Sequence, residues 1–185
     1  MGNIIFQEGH INMASNKTVS KGNISIKTIE KENLPVLFTL FQYVNPDEMI
    51  KANTKMISEG KIRIYGLFAD YDVIGELRVK FSDLDPEVAH KGRRAYLYAL
   101  RVLQDYRRKG LGQFLVEFVI AQLKGEGYSE FTIGVEENNV PALNLYSKLR
   151  FNSYLKSVFE TYQGDTYEYF LLLRKDPIGG VLNAD

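Results

Sequence analysis

Apolar residues recur at two spacings after position 22, and the two spacings alternate along the chain. Ile24 and Ile26 occupy every second position, which is typical of a strand with one buried face. Across residues 32–44 the apolar positions follow the 3.6-residue repeat of a helix. A second helix is predicted from Pro46, which suits a first helical turn, to about Ser58. The pattern therefore predicts one strand followed by two helices.

The next apolar segments predict a hairpin and then a loop. Residues 63–69 and 73–79 are rich in apolar and β-branched residues, and the polar segment Asp70-Tyr71-Asp72 separates them as a turn. Residues 83–94 are polar and show no repeat, so they are predicted to be a loop.

The second half of the chain alternates between strands and helices more sharply. Residues 95–102 predict a strand, and a strongly apolar helix begins at Leu111 and stops at Gly125 or Gly127. The remaining elements are a strand at 131–135, a helix at 140–149, and a hairpin of strands at 153–161 and 167–173.

These elements fit a single α+β domain at residues 23–175. We expect a mixed, mostly antiparallel sheet of about seven strands with about four helices, in a three-layer α/β/α arrangement. Residues 1–22 are polar and without a repeat, so they are predicted to be a loose tail, and residues 176–185 are predicted to fray.

Composition and charge narrow the functional classes. The 185 residues include 23 basic and 23 acidic side chains, and this balance argues against a nucleic-acid partner. The chain has no cysteine, which excludes disulfides, thiolate metal ligands and a cysteine nucleophile. His10 and His90 are far apart, so no metal site is predicted. No segment has the features of a membrane span or a signal peptide, so a cytoplasmic protein, monomeric or homodimeric, is expected.

A glycine-bearing turn between a strand and a helix carries the clearest chemical signal. The turn is RRKGLG, residues 107–112, and its two glycines let the backbone approach a ligand closely. The N–H groups of the first helical turn lack partners, and the helix dipole favours an anion there. Three cations just before the helix add attraction for phosphate. The alternative is a simple turn with a solvated basic rim.

This turn and a later segment together resemble the GNAT superfamily of acetyl-CoA-dependent N-acetyltransferases. RRKGLG matches the family motif Q/R-x-x-G-x-G/A, and NVPALNLYSKLRF, residues 139–151, resembles its N-x-x-A-x-x-L-Y-x-K-x-G-F stretch. The order of motif, helix, strand, Asn, helix and Tyr also agrees. The resemblance covers roughly residues 23–173 and implies a GNAT-like fold with acetyl-CoA as cosubstrate and no metal.

The resemblance also implies which residues hold the cosubstrate. The strand before the glycine turn and the strand after the next helix splay apart in the family, and the pantetheine arm lies between them. The backbone of Leu100, Arg101 and Val102 is then expected to pair with pantetheine. The pyrophosphate is expected on the turn, whose residues are Arg107, Arg108, Lys109, Gly110, Leu111 and Gly112. Asn139 is expected to contact pantetheine or to cap the following helix, and Lys148 to reach the nucleotide phosphates or to be solvated.

Acid and base roles follow from the same resemblance. Tyr146 is expected to protonate the leaving thiolate, and its alternative role is an aromatic core residue. Some family members carry a carboxylate base on one of the splayed strands, but the corresponding positions here are Tyr96 and Gly134. Glu76 is the substitute expected on the neighbouring strand. An ordinary solvent-facing charge at Glu76 and a water chain to bulk are the alternatives.

The expected reaction is direct transfer of acetyl from acetyl-CoA to a primary amine. The acceptor is left open among a protein N-terminus, a lysine side chain, a polyamine and an aminoglycoside-like compound. A catalytically silent acyl-CoA-binding module on the same fold is the alternative. The chain departs from the family pattern at Arg150, where glycine usually precedes Phe151. Either the helix ends differently there, or Arg150 adopts a left-handed conformation at a cost of roughly 1 kcal/mol.

Overall fold

One mixed sheet organises the chain in the computed structural model, which describes residues 19–21, 23–162 and 165–177. The sheet has eight strands in the order β1-β2-β3-β4-β5-β6-β8-β7. Only β5 and β6 pair in parallel, and every other neighbouring pair is antiparallel. The strands are β1 Val19–Lys21, β2 Ile24–Thr28, β3 Ile62–Ala69, β4 Asp72–Lys80, β5 Arg94–Val102, β6 Glu130–Val135, β7 Ser153–Tyr162 and β8 Asp165–Lys175.

Helices cover both faces of the sheet, as predicted for a three-layer fold. In the described residues the α-helices are α1 Leu34–Leu40, α2 Pro46–Ser58, α3 Leu111–Gly125 and α4 Val140–Lys148, with short 3-10 helices at Lys31–Asn33 and Gln104–Tyr106. Alternation along β3 divides its side chains between the layers. Ile62 and Ile64 pack in a core with α1 and α2, whereas Tyr65 and Leu67 pack in the larger core with α3.

The apolar repeat of helix α3 corresponds to the face that packs on the sheet. Its apolar positions place Leu115, Val116, Val119 and Leu123 in full contact with the sheet. Burying an aliphatic side chain of this size contributes about 1.5–3 kcal/mol, so four such residues hold α3 firmly on β4 and β5. The N-terminus of α3 therefore occupies a fixed position at the end of β5.

A bulge in β5 opens the sheet at its centre. Between the pairs Arg78↔Tyr98 and Glu76↔Arg101, one residue of β4 faces two residues of β5. Ala99, in the bulge, has the left-handed backbone angle φ of 52°. The parallel ladder to β6 ends at Leu97↔Ile133, so the last five residues of β5 have no pairing with β6. The two strands separate as expected, and the β6-facing side of β5 is left without a partner strand.

The boundaries of the domain differ from the prediction at both ends. Val19–Lys21 pair with β2, so these three residues belong to the sheet and the predicted tail was wrong for them. Residues 1–18 lie outside the described residues. At the other end Asp176 is buried and forms ion pairs with Arg174 and Lys124, so the predicted fraying was wrong there too. Residues 178–185 are not among those described. The sheet contains the seven predicted strands plus this short edge strand.

Candidate active site

The turn before α3 presents a row of backbone N–H groups. Gly110 caps the helix with a left-handed φ of 75°, a conformation that costs glycine little. Arg108 is also left-handed, with φ of 59°. Within the described residues, the N–H groups of residues 108–113 donate to no protein acceptor. Such a row at a helix N-terminus binds phosphate oxygens through hydrogen bonds and the helix dipole.

The residues around this turn fit a phosphate-bearing group. A Cβ added at Gly112 would make ordinary contacts of 3.8–4.0 Å with Leu145, Val102 and Leu100, so Gly112 brings the helix start close to the free part of β5. The Nε of Arg107 donates to the carbonyl of Val102 at 2.8 Å, which holds this arginine beside the turn. The predicted turn and the predicted pairing strand therefore lie side by side.

Two cavities meet along the free part of β5. The first, about 540 Å³, lies between the end of α1, residues 100–104 of β5 and the following turn, Arg107 and Asn139. The second, about 590 Å³, lies between α2, β4, β5, α4 and the β7–β8 hairpin. Both are lined by Leu100, Arg101 and Asn139, so they are neighbours along one groove. We refer to the first as the cofactor cavity and to the second as the acceptor cavity.

Tyr146 reaches the acceptor cavity from α4. The residue is 6% exposed, and its ring packs edge-on against Phe151 with ring centres 6.0 Å apart. Within the described residues its hydroxyl has no hydrogen-bond partner, although the side chain lines the cavity. Burial raises the pKa of Tyr146 to about 12, so the hydroxyl keeps its proton throughout the neutral range. The ring is thus a packing element and the hydroxyl is available to a ligand.

The other predicted residues of α4 lie in different surroundings. The side chain of Asn139 caps α4 by accepting from the N–H of Ala142 at 3.2 Å, and it also lines both cavities. Lys148 lies beside Arg150 and Arg174 in a shallow depression on the outer side of α3, and it lines neither cavity. The structure does not bring Lys148 to the groove.

Arg150 adopts the left-handed conformation that the sequence left as one of two options. Its φ is 68°. The N–H of Phe151 donates to the carbonyl of Tyr146 and the N–H of Arg150 donates to that of Ser147, which together form a Schellman cap. Helix α4 therefore ends as it would with glycine, and Tyr146 keeps its position despite the unusual residue.

Glu76 is neither solvent-exposed nor in contact with the acceptor cavity. Its exposure is 0%, so the solvent-facing alternative was wrong. One carboxylate oxygen accepts from the hydroxyl of Tyr43 at 2.7 Å, and the other accepts from Nε of Arg78 at 2.8 Å. Arg101 lies 3.7 Å from the first oxygen. A direct proton transfer from substrate to Glu76 has no open path, because these partners separate the carboxylate from the cavity.

The prediction from sequence missed the partners of Glu76 and the aromatic wall beside them. Tyr43 stacks on Phe38 and lies beneath the guanidinium groups of Arg78 and Arg101. Burial, and then the negative charge of Glu76, raise the pKa of Tyr43. One signal was present, because Glu76 and Arg78 stand two positions apart in an apolar strand and must share one face.

Gly134 makes room for two of the tyrosines in the acceptor cavity. A Cβ there would lie 2.8 Å from the ring of Tyr169 and 3.0 Å from the hydroxyl of Tyr96. Both tyrosine side chains therefore lie against Gly134, and Tyr96 also stacks on Tyr98 with ring centres 5.5 Å apart. Tyr96 and Gly134, which stand where some family members carry a carboxylate, thus belong to a wall made of tyrosine rings.

Comparison with known proteins agrees with this geometry. The model of the acetyltransferase (GNAT) family matches residues 29–151. The chain belongs to the GNAT family. An N-alpha-acetyltransferase of Saccharolobus solfataricus is 28% identical over 148 residues, covering 69% of this chain and 86% of that protein. A ribosomal protein bS18 alanine N-acetyltransferase of Escherichia coli K12 is 38% identical over 58 residues, covering 31% of this chain and 39% of that protein.

Solved GNAT structures share the fold. RimL, a ribosomal L7/L12 alpha-N-protein acetyltransferase in complex with coenzyme A, aligns with a TM-score of 0.65 at 12% identity over 88% of this chain and 100% of that one. Family membership makes the protein an acetyl-CoA-dependent N-acetyltransferase. None of the helices in the described part of the chain has the length and apolarity that a membrane crossing requires.

Proposed function

We propose that the protein transfers the acetyl group of acetyl-CoA to the α-amine of a protein N-terminus. The observation that carries this proposal is the continuous groove along the unpaired part of β5. It begins at Arg107, the residue just before the N–H groups that have no acceptor in the described part of the chain, and it reaches the hydroxyl of Tyr146. A phosphate-binding turn and a proton donor at opposite ends of one groove suit a thioester carried on a long phosphorylated arm.

The lining of the acceptor cavity supports a peptide acceptor over a polycation. Six tyrosines line it, and tyrosine hydroxyls can bond to the N–H and C=O groups of an extended peptide. Only two carboxylates, Glu136 and Glu160, are among its lining residues, whereas a polyamine or aminoglycoside would be better held by an acidic surface. One relative is named an N-alpha-acetyltransferase and another an alanine N-acetyltransferase of ribosomal protein bS18, and both names favour the same acceptor.

Backbone groups and side chains of the protein would hold different parts of the cosubstrate. The N–H groups of residues 108–113 would hold the pyrophosphate, with Arg107 beside them. The free backbone of residues 100–102 would pair with pantetheine, and the side-chain amide of Asn139 would face the arm where the two cavities meet. Acetyl-CoA supplies the activated acetyl thioester to this groove.

Tyr146 would act as the general acid. A phenol can protonate the departing thiolate, whose conjugate acid has a reference pKa of about 8.5. With its pKa raised to about 12, Tyr146 holds its proton throughout the neutral range, but it is a weaker acid than a free phenol and gives up the proton only as negative charge develops on sulfur. We therefore assign Tyr146 the catalytic role, and an intact donor also argues against a silent acyl-CoA-binding module.

We assign Glu76 a positioning role in place of the predicted role of base. An α-amine has a reference pKa of about 7.7–8.0, so roughly one molecule in ten is already neutral at pH 7. Such an acceptor does not need a buried carboxylate, and water can carry its proton to bulk solvent. Glu76 instead holds Tyr43 and Arg78 in the wall of the acceptor cavity.

Intact-mass analysis tests the proposal directly. The protein is incubated with acetyl-CoA and a peptide with a free N-terminal alanine, and the matched control is the same peptide with a blocked N-terminus and one internal lysine. We expect acetylation of the first peptide alone. Acetylation of the control would move the acceptor to the lysine side chain, and modification of neither peptide would refute a peptide acceptor.

A further inference from the structure

The acceptor cavity is electrically polarised across the sheet. Its cations belong to β4 and β5, where Arg78, Lys80 and Arg101 line it. Its carboxylates lie on the other side, where Glu136 follows β6 and Glu160 belongs to β7. Tyr146 lies on the side of Glu136, since α4 follows that segment. An acceptor amine held near Glu136 would lie on the same side as Tyr146, which leaves the cations to contact the remainder of the acceptor.

Arg78 is the most unusual of the three cations. Its side chain is 3% exposed, its Nε donates to Glu76, and its Nη1 donates to Asn53 at 3.2 Å. Its Nη2 atom is buried and has no hydrogen-bond partner within the described residues. Tyr98 is buried beside Arg78: burial raises the pKa of Tyr98, whereas the charge of Arg78 and a side-chain hydrogen bond with it, too loose to satisfy Nη2, lower that pKa. An unpartnered guanidinium N–H in a cavity wall is costly unless a ligand oxygen satisfies it.

The ion pairs around Arg78 contain more cations than carboxylates. Arg78 and Arg101 share the single carboxylate of Glu76, which leaves one net positive charge in this cluster. Tyr43, the third group bonded to Glu76, is a neutral phenol. Lys80 is paired with Asp83 and adds no net charge. A carboxylate would complete the pairing, whereas a neutral carbonyl would satisfy the N–H group and leave the charge.

We propose that the acceptor carries a carboxylate close to its amine and that Arg78 and Arg101 bind it. On the proposed function, on which this inference rests, the carboxylate is an acidic side chain beside the acetylated residue. Nη2 of Arg78 donates to this carboxylate, and Arg101, whose side chain is 41% exposed, closes over it from the mouth of the cavity. The two guanidinium groups are specificity-determining residues.

Three peptides that differ only at the second position test the wild-type enzyme. They begin Ala-Asp, Ala-Asn and Ala-Lys, and kcat/KM is measured for each at low and at moderate salt. A charge-assisted hydrogen bond corresponds to about a tenfold effect or more, so we expect the Asp peptide to exceed the Asn peptide by at least about tenfold and the Lys peptide to be poorest. The advantage should shrink as salt is added. Equal kcat/KM for all three peptides would overturn the inference.

Two variants assign the preference to the arginines. Arg101→Gln removes the more exposed charge and leaves Arg78 paired with Glu76, and Arg78→Lys keeps the charge but removes the unpartnered N–H. Each should reduce the Asp-over-Asn preference at least severalfold through the KM of the Asp peptide. Acetyl-CoA affinity and thermal unfolding report whether each variant is folded. Arg93→Gln is the matched control, because Arg93 is exposed on the loop before β5 and does not line the cavity.

The outcomes separate this inference from the proposed function. Acetylated peptides without an acidic preference, or a preference that survives in both variants, would refute the carboxylate site and leave the peptide acceptor standing. If no peptide is acetylated, the peptide acceptor fails. The carboxylate site is then tested with three small amines that carry two, one and no carboxylates: glutamate, its decarboxylated amine γ-aminobutyrate, and butylamine. A kcat/KM that falls from glutamate to γ-aminobutyrate to butylamine would support the carboxylate site. Equal values, or no acetylation of any of the three amines, would overturn it.

Discussion

The cofactor cavity and the acceptor cavity are neighbours, yet they are built in different ways. The cofactor cavity is lined mainly by one stretch, residues 100–104 and Arg107, which leads into the turn before α3, and it is completed by the end of α1 and by Asn139. The acceptor cavity uses side chains from α2, β4, β5, α4, β7 and β8, which are distant in sequence. Cosubstrate recognition is therefore local in the sequence, and acceptor recognition depends on how the whole sheet assembles.

This difference explains what can vary between relatives. Backbone N–H groups tolerate changes of side chain, so a glycine turn can bind the same cosubstrate in proteins of low identity. A cavity made of side chains changes its chemistry with single substitutions. The aromatic wall around Gly134 and the arginine pair on Glu76 are such features, and they stand where the family pattern led us to expect a carboxylate base.

Removal of the Tyr146 hydroxyl should have the largest effect, because Tyr146 is the proposed proton donor in the acceptor cavity. General acid catalysis contributes about 10²–10⁴-fold, so Tyr146→Phe should lower kcat by at least tenfold. Acetyl-CoA affinity should change by no more than a few fold, since the ring and its packing on Phe151 remain. Steady-state kinetics and calorimetry measure both quantities. Tyr128→Phe, in the core beside Phe81, is the control, and an unchanged kcat in Tyr146→Phe would leave Tyr146 as packing alone.

The substitution Gly110→Ala should weaken acetyl-CoA binding and leave the acceptor cavity unchanged. Alanine at φ of 75° is strained by about 1–2 kcal/mol, and relief of that strain turns the N–H groups away from the phosphate. One lost charge-assisted hydrogen bond weakens acetyl-CoA binding about tenfold or more. Gly125→Ala, at the far end of α3 with no atom within 4 Å of its Cβ, should leave binding unchanged. Equal affinity in the two variants, measured by calorimetry, would remove the turn from the cofactor site.

Tyr43→Phe should affect the acceptor cavity alone. The change removes one hydrogen bond to the buried carboxylate of Glu76 and keeps the ring beneath the two guanidinium groups. We expect a loss of about 1–3 kcal/mol in the free energy of unfolding and a rise of a few fold in the KM of the acceptor. The KM of acetyl-CoA should stay constant. A larger effect on acetyl-CoA than on the acceptor would show that the division between the cavities is wrong.

The smallest expected effect is on the pH dependence of kcat/KM. For a peptide acceptor, kcat/KM should rise with the deprotonation of the α-amine near pH 8 and then stay level through pH 10. A free phenol loses its proton near pH 10, but the pKa of Tyr146, raised to about 12 by burial, postpones that loss. A decline of activity centred near pH 10 in folded enzyme would contradict a buried donor. An additional rise at acidic pH, well below the deprotonation of the α-amine, would restore a carboxylate as the base.

The sequence predicted most of the elements and the position of the turn before α3, whereas the cosubstrate-binding roles of its residues stay predictions, and Lys148 lies outside both cavities. Pro46–Ser58 is bounded as expected, and the turn before α3 lies beside β5 as the motif implied. Both results depend on local signals, namely a proline at a helix start and glycines between a strand and a helix. The predicted helix at 32–44 is shorter than its apolar repeat, because Gln42 takes a left-handed φ of 52° and ends it.

The acceptor cavity could not be predicted in the same way. The contact of Tyr43 with Glu76 joins residues 33 positions apart, and that of Arg78 with Asn53 joins residues 25 positions apart. Such pairs depend on strand register and on where α2 packs, and periodicity reports neither. The strand pattern therefore leaves Glu76 open between a solvent face and the reaction centre, whereas the structure buries it behind the wall of the acceptor cavity.

The division between the cavities is tested most directly by amide chemical shifts of the labelled protein during titration with acetyl-CoA. The N–H signals of residues 108–113 and 100–102 should shift strongly, and a carboxylate-bearing acceptor peptide added afterwards should shift the signals around Tyr43, Arg78 and Tyr98. Acetyl-CoA shifts confined to the depression around Lys148 and Arg150, or none at residues 108–113, would contradict the account.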